Sequence, residues 1–159
     1  MKSEEIISYL PYSRPFLFVD SVTITGENSL EGEYKFREDE FFYEGHFIRK
    51  GEKGFIEKFP VTPGVILIET MAQIGVVCMG IYLLREKLAS GNLPEFVMSS
   101  AEVEYFLTVF PGEKVKVFSE KIYFRFGKLK CNVKMKNEKN ELVCKSIISG
   151  MIINFQPGS

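Results

Sequence analysis

The sequence contains no tryptophan, a single histidine and only three cysteines among its 159 residues. Cys78, Cys131 and Cys144 are odd in number and lack any CxxC spacing, which argues against both a disulfide framework and a zinc site. Buried free thiols are expected instead. No Ser/Gly/Pro-rich stretch, low-complexity tract or internal repeat interrupts the chain, so residues 1–159 are expected to form one domain. Its length, with 45% hydrophobic residues, is enough to bury a core. A net charge of −1 lacks the basic field that tracks a phosphate backbone, which argues against nucleic acid as a partner. The first residues, Met1 to Ile7, show no basic region leading into a long apolar stretch, so no secretory signal and a cytoplasmic location are expected.

The one long apolar run, Val65 to Leu84, is broken by Glu69, Thr70 and Gln73. An acidic residue at the centre of a membrane span costs about 2.5 to 3.5 kcal/mol, and the uninterrupted remainder from Ile74 is too short to cross a bilayer. A helix buried on most sides, with no membrane span, is therefore expected. Thr62 is expected to cap it and Pro63 to occupy its first turn, with Arg85, Glu86 and Lys87 at the polar end.

Strand patterns flank this helix. Phe16 to Val19 and Leu30 to Tyr34, joined through Gly26 to Ser29, predict an antiparallel pair. Four further strands are predicted over 95–106, 114–124, 128–136 and 141–153. In the third of these Leu129, Cys131, Val133 and Met135 alternate with Lys128, Lys130, Lys134 and Lys136, giving a dry and a wet face. Pro111-Gly112 and Asn137 to Asn140 supply turns. The expected class is α+β, an antiparallel β-sheet wrapped around a long central α-helix. Residues 114 to 145 carry ten Lys or Arg against three Glu, which reads as a solvated sheet face or as a landing strip for an acidic partner, Arg125 and Lys128 foremost.

Residues 37 to 63 have no clear periodicity and hold the single histidine. His46 is the one side chain whose unperturbed pKa makes both protonation states accessible at neutral pH. It stands in Glu44-Gly45-His46-Phe47, where Phe47 supplies an apolar wall. Glu69 lies in the second turn of the apolar helix, where an ionised carboxylate is expensive unless paired or facing a cavity, and Gln73 follows one helical turn later on the same face. At the helix start the unpaired amides of Gly64 and Val65 suit a carbonyl oxygen that acquires negative charge. A base, an acid and an oxyanion donor are what proton abstraction beside a thioester carbonyl requires.

Taken together, Leu10-Pro11, Pro15 to Asp20, Gly45-His46-Phe47 and Pro63 to Gln73 resemble the β-hydroxyacyl-acyl-carrier-protein dehydratases of type II fatty acid synthesis. A weaker likeness continues through Pro111-Gly112-Glu113 and Phe126-Gly127-Lys128. The resemblance implies a hot-dog fold and dehydration of 3-hydroxyacyl thioesters on acyl carrier protein to trans-2-enoyl thioesters. His46 would be the base and Glu69 the acid, with Gly64, Val65, Phe47 and Gln73 binding substrate. It implies no metal and no organic cofactor, and a homodimer or trimer of dimers in which His46 and Glu69 come from different subunits. Glu69 in place of Asp fits the branch that dehydrates without isomerising. A hot-dog thioesterase and a non-catalytic acyl-binding subunit are the alternatives. Two departures stand out: a longer, charged segment at 48–59 between the two motifs, expected to be a lid or interface element, and Tyr12-Ser13-Arg14 in place of the family's His-Arg-Tyr.

Overall fold

Alternation of apolar and charged residues dictates the sheet. In the computed structural model, which describes residues 1–54, 56–88 and 95–153, six strands pair antiparallel. They are β1 (Ser21–Gly26), β2 (Ser29–Lys35), β5 (Glu95–Tyr105), β6 (Lys114–Arg125), β7 (Lys128–Asn137) and β8 (Leu142–Ile153), in the order β1-β2-β6-β7-β8-β5. Leu129, Cys131, Val133 and Met135 of β7 are fully buried on the inner face, as their spacing predicts. On the outer face Lys116 pairs with Glu31 at 2.8 Å and Lys145 with Glu104 at 3.6 Å, so part of the basic strip is neutralised by the sheet itself. A short helix, α1 (Ser3–Ser8), precedes the sheet and buries Ile6 against it.

The inner face wraps the long helix α2 (Gly64–Leu83), most of which is buried. Fully burying a Leu, Ile or Met side chain stabilises by about 1.5 to 3 kcal/mol, and α2 buries Leu67, Met71, Ile74, Met79 and Ile81 in this way, so its apolar character is accounted for by the core. Close approach is bought by glycine: a Cβ on Gly75 would lie 2.9 Å from the Val133 methyls of β7. A π-helical turn at Gln73–Cys78 interrupts the α-helical hydrogen bonds, and the Ser119 hydroxyl of β6 donates to the Gly75 carbonyl oxygen at 2.7 Å. All three cysteines are free and buried, and burial pushes each thiol up to about 12, so none is a nucleophile near neutral pH. A four-residue helix, α3 (Arg85–Leu88), ends this segment.

Two expectations change, and a third segment acquires structure. Phe16 to Val19 are not a strand: the chain there is irregular and β1 begins at Ser21. The Phe18 amide and the Phe16 carbonyl are satisfied by a side chain of α2 instead of by a strand partner. At the start of α2, Pro63 is the cap residue and Gly64 the first helical one, one position later than the capping pattern predicts. Thr62 does not cap the helix; its hydroxyl pairs with that of Tyr43 at 2.6 Å. Finally, within the segment 48–59 two three-residue strands, β3 (Ile48–Lys50) and β4 (Ile56–Lys58), form a hairpin whose base is closed by the Phe59 amide donating to the Phe47 carbonyl at 3.1 Å. Phe55 of this segment lies outside the described residues.

Candidate active site

His46 leaves the short 3-10 turn Phe41–Glu44 and is half-buried. Its Nδ1 lies 2.8 Å from the Val61 carbonyl oxygen. A carbonyl only accepts, so Nδ1 carries the proton and Nε2 is left with a free lone pair, which is the tautomer a base needs. Phe47 adopts a left-handed backbone (φ 53°) and sets its ring 4.4 Å from the imidazole, centroid to centroid. Val61 is held in turn, because the next residue, Thr62, donates its amide to the Val109 carbonyl at 2.8 Å. Two residues further, α2 begins.

The first amides of α2 are open. Ile66 and Leu67 donate to the Pro63 carbonyl at 2.9 and 3.2 Å, whereas the amides of Gly64 and Val65 have no acceptor among the described residues. Val65 is 72% exposed, so its side of the helix start faces solvent. The glycine itself has a packing reason that sequence reasoning missed. A Cβ on Gly64 would come within 3.0 Å of the Tyr105 ring, whose hydroxyl donates to the Gly64 carbonyl at 2.8 Å. Gly64 thus makes room for Tyr105 of β5, not for a ligand on that side.

Glu69 is half-buried and held by Gln73. The Gln73 Nε2 donates to Glu69 Oε1 at 2.9 Å and to the Phe16 carbonyl at 2.9 Å, while its Oε1 accepts the Phe18 amide at 2.8 Å. The side chain is fully buried, and both amide hydrogens are used. Gln73 therefore fixes the carboxyl to the N-terminal segment and does not reach outward to a ligand. With Oε1 occupied by the amide, Oε2 has no hydrogen-bond partner among the described residues. Gln73→Leu is expected to leave the Phe16 carbonyl and the Phe18 amide unpaired, at about 1 to 3 kcal/mol for the buried Phe18 amide and less for the part-buried Phe16 carbonyl. A thermal melt should record that loss, together with a fall in turnover.

The structure brings Glu69 to Gln73 and His46 to the start of α2, but no hydrogen bond or ion pair joins His46 to Glu69 among the described residues. Five residues advance Glu69 about 7.5 Å along the axis and turn it about 140° from Gly64, so the two residues lie on different faces of α2. Meanwhile β5 is an edge strand of eleven residues, with a register shift between Met98 and Ser100 and with Val97 and Met98 each 43% exposed.

The FabA-like domain model matches residues 10–140 of the sequence. The chain belongs to the FabA-like family. Its curated relatives are named 3-hydroxyacyl-[acyl-carrier-protein] dehydratase FabZ. That of Acinetobacter baylyi is 32% identical over 83% of this chain and 82% of its own length, and that of Sinorhizobium medicae is 30% identical over 95% and 89%. With these relatives, this FabA-like chain falls among the dehydratases. Among solved structures, the dehydratase heterocomplex ApeI:P from Xenorhabdus doucetiae superposes with a TM-score of 0.72 at 12% identity, covering 94% of this chain and 91% of that one. A hypothetical thioesterase with coenzyme A from Streptococcus pneumoniae superposes with a TM-score of 0.59 at 9% identity, covering 96% and 98%. At these identities the likeness is one of fold, and the fold is the hot-dog.

Proposed function

We propose that this FabA-like protein removes water from 3-hydroxyacyl thioesters carried on acyl carrier protein, in the cytoplasm, as a single hot-dog domain. The observation that carries the reading is the 2.8 Å contact of His46 Nδ1 with the Val61 carbonyl oxygen, an acceptor that draws the ring proton to Nδ1 and leaves Nε2 to take the C2 proton. As that proton leaves, negative charge grows on the thioester oxygen, where the open amides of Gly64 and Val65 donate to it. Collapse of this charge forms the C2–C3 double bond and expels the 3-hydroxyl. Glu69 protonates that leaving group through Oε2, and it departs as water. His46 then holds the C2 proton, and its transfer to the Glu69 carboxylate, directly or through water, resets the site. Only a proton and water change hands, so the scheme calls on no metal and no redox cofactor.

The lack of any hydrogen bond or ion pair between His46 and Glu69 among the described residues supports a site assembled from two chains, with the base of one subunit facing the acid of the other. A homodimer paired along the β5 edge, alone or within a trimer of dimers, supplies that arrangement. An edge strand of this length is a ready template for a second copy. Phe47 and Phe59, at the base of the β3–β4 hairpin, then become walls at the subunit boundary.

The carrier would dock on what remains unpaired of the basic strip. Arg125 and Lys128 flank a hairpin tip in which Phe126 is 95% exposed with φ 52° and Gly127 has φ 71°. Neither cation takes part in a salt bridge among the described residues, although Arg125 lies 4.8 Å over the Tyr123 ring. Exposed charges act mainly on association and are screened by salt, with a Debye length of about 10 Å at 0.1 M. Raising salt from low to moderate ionic strength is expected to lower kcat/KM for a carrier-borne substrate while leaving a small thioester analogue nearly unaffected. Equal salt sensitivity of the two substrates removes the strip from docking.

A further inference from the structure

Beside Glu69 a cavity of about 40 Å³ opens between α2 and the strands β5 and β8. Apart from the carboxyl, its walls are apolar or backbone, with two exceptions, Tyr12 and Ser149, whose buried hydroxyl has no hydrogen-bond partner among the described residues. A substrate whose 3-hydroxyl meets Glu69 has the rest of its acyl chain directed into this space. Taking about 10 to 15 Å³ for each water-sized sphere, the cavity accommodates on the order of three or four heavy atoms.

Most of its walls are fixed. Val76 and Val77 are buried in α2, and Ile148 is fully buried in β8. Phe96 lies against α2 so closely that a Cβ on Gly80 would stand 2.2 Å from its ring, and Phe124 packs beside it at 6.4 Å between centroids. Tyr12 differs. It belongs to an irregular segment, is half-buried against the core, and its hydroxyl has no hydrogen-bond partner among the described residues. Burial, with the Glu69 carboxylate second, pushes its phenol up to about 12, so it stays neutral through the working range of the enzyme. It also occupies one of the two places where the sequence departs from its family's pattern.

Resting on the dehydratase reading, we infer that Tyr12 is a specificity-determining residue that closes the acyl cavity beside Glu69 and restricts the enzyme to short-chain 3-hydroxyacyl thioesters. Its bulk does this, and its hydroxyl does not.

The test measures kcat/KM for 3-hydroxyacyl pantetheine thioesters from about four to about twelve carbons, and calorimetric binding of the matching trans-2-enoyl thioesters, with the full-length protein. For the wild type, kcat/KM is expected to fall by about 10-fold or more once the chain outgrows the cavity. Tyr12→Ala should raise the long-to-short ratio by about 10-fold or more, Tyr12→Leu should raise it less, and Tyr12→Phe should keep the wild-type ratio. Tyr12→Leu retains much of the packing, so the test stands even if the alanine variant does not fold. A wild type that accepts twelve carbons as well as four overturns the inference. So does a folded alanine or leucine variant with an unchanged ratio, or a Tyr12→Phe variant that alone shifts it. If no substrate is dehydrated but enoyl binding keeps the short-chain preference and loses it in Tyr12→Ala, the dehydratase reading falls and the role of Tyr12 stands. Absence of both turnover and length-dependent binding removes both.

Discussion

His46→Ala and Glu69→Gln should each lower kcat by about 100-fold or more with the fold unchanged, the usual scale for losing a positioned base or acid. Neither side chain supports the core: both are half-buried, and each makes one side-chain hydrogen bond, to Val61 and Gln73 respectively. The alanine removes the free Nε2 lone pair and leaves the Val61 carbonyl near solvent, where water satisfies it. The glutamine keeps the shape of Glu69 and the capacity of its Oε1 to accept from Gln73, but it has no acidic proton to give. Steady-state turnover on a small 3-hydroxyacyl thioester, with circular dichroism as a control for folding, checks both. Near-normal kcat in either folded variant removes that residue from the chemistry.

Mixing these two inactive proteins should restore activity. In a two-fold dimer with shared sites, one His46→Ala chain and one Glu69→Gln chain place both defects in the same site and leave the other site with an intact His46 and an intact Glu69. After dissociation and reassembly each mixed dimer should therefore regain up to about half the wild-type turnover. The structural motive is that no hydrogen bond or ion pair joins His46 to Glu69 within one chain among the described residues, and that Glu69 lies about 140° around α2 from Gly64. Mixed dimers that demonstrably form and remain inactive place the pair within a single subunit and exclude the shared arrangement.

The parts of this fold that were legible in the sequence are those whose signal is periodic and local. Strict alternation in 128–136 returns as β7 with its four apolar residues fully buried, and the apolar run from Val65 returns as the core helix. The pairing of Gln73 with Glu69 follows from one-turn spacing on a helix face and is present. What escaped depends on partners distant in the chain or on backbone atoms. Phe16 to Val19 have the composition of a strand, but their amide and carbonyl are taken by Gln73, 55 and 57 residues away. Tyr105 gives no local sign that it packs on Gly64, 41 residues earlier. The acceptor that sets the His46 tautomer is a backbone carbonyl, which any residue at position 61 supplies. The hairpin within 48–59 escaped because strands of three residues are too short to show alternation.

The most direct test of the account supplies a short 3-hydroxyacyl thioester to the purified protein and follows two signals in one cuvette: the ultraviolet absorbance of a conjugated enoyl thioester, and free thiol by a thiol-reactive dye. The protein's own three thiols are buried and contribute no background while it is folded. A dehydratase raises the enoyl absorbance and releases no thiol, and this is the predicted result. Release of thiol without enoyl absorbance would make the protein a thioesterase on the same fold and would contradict the account.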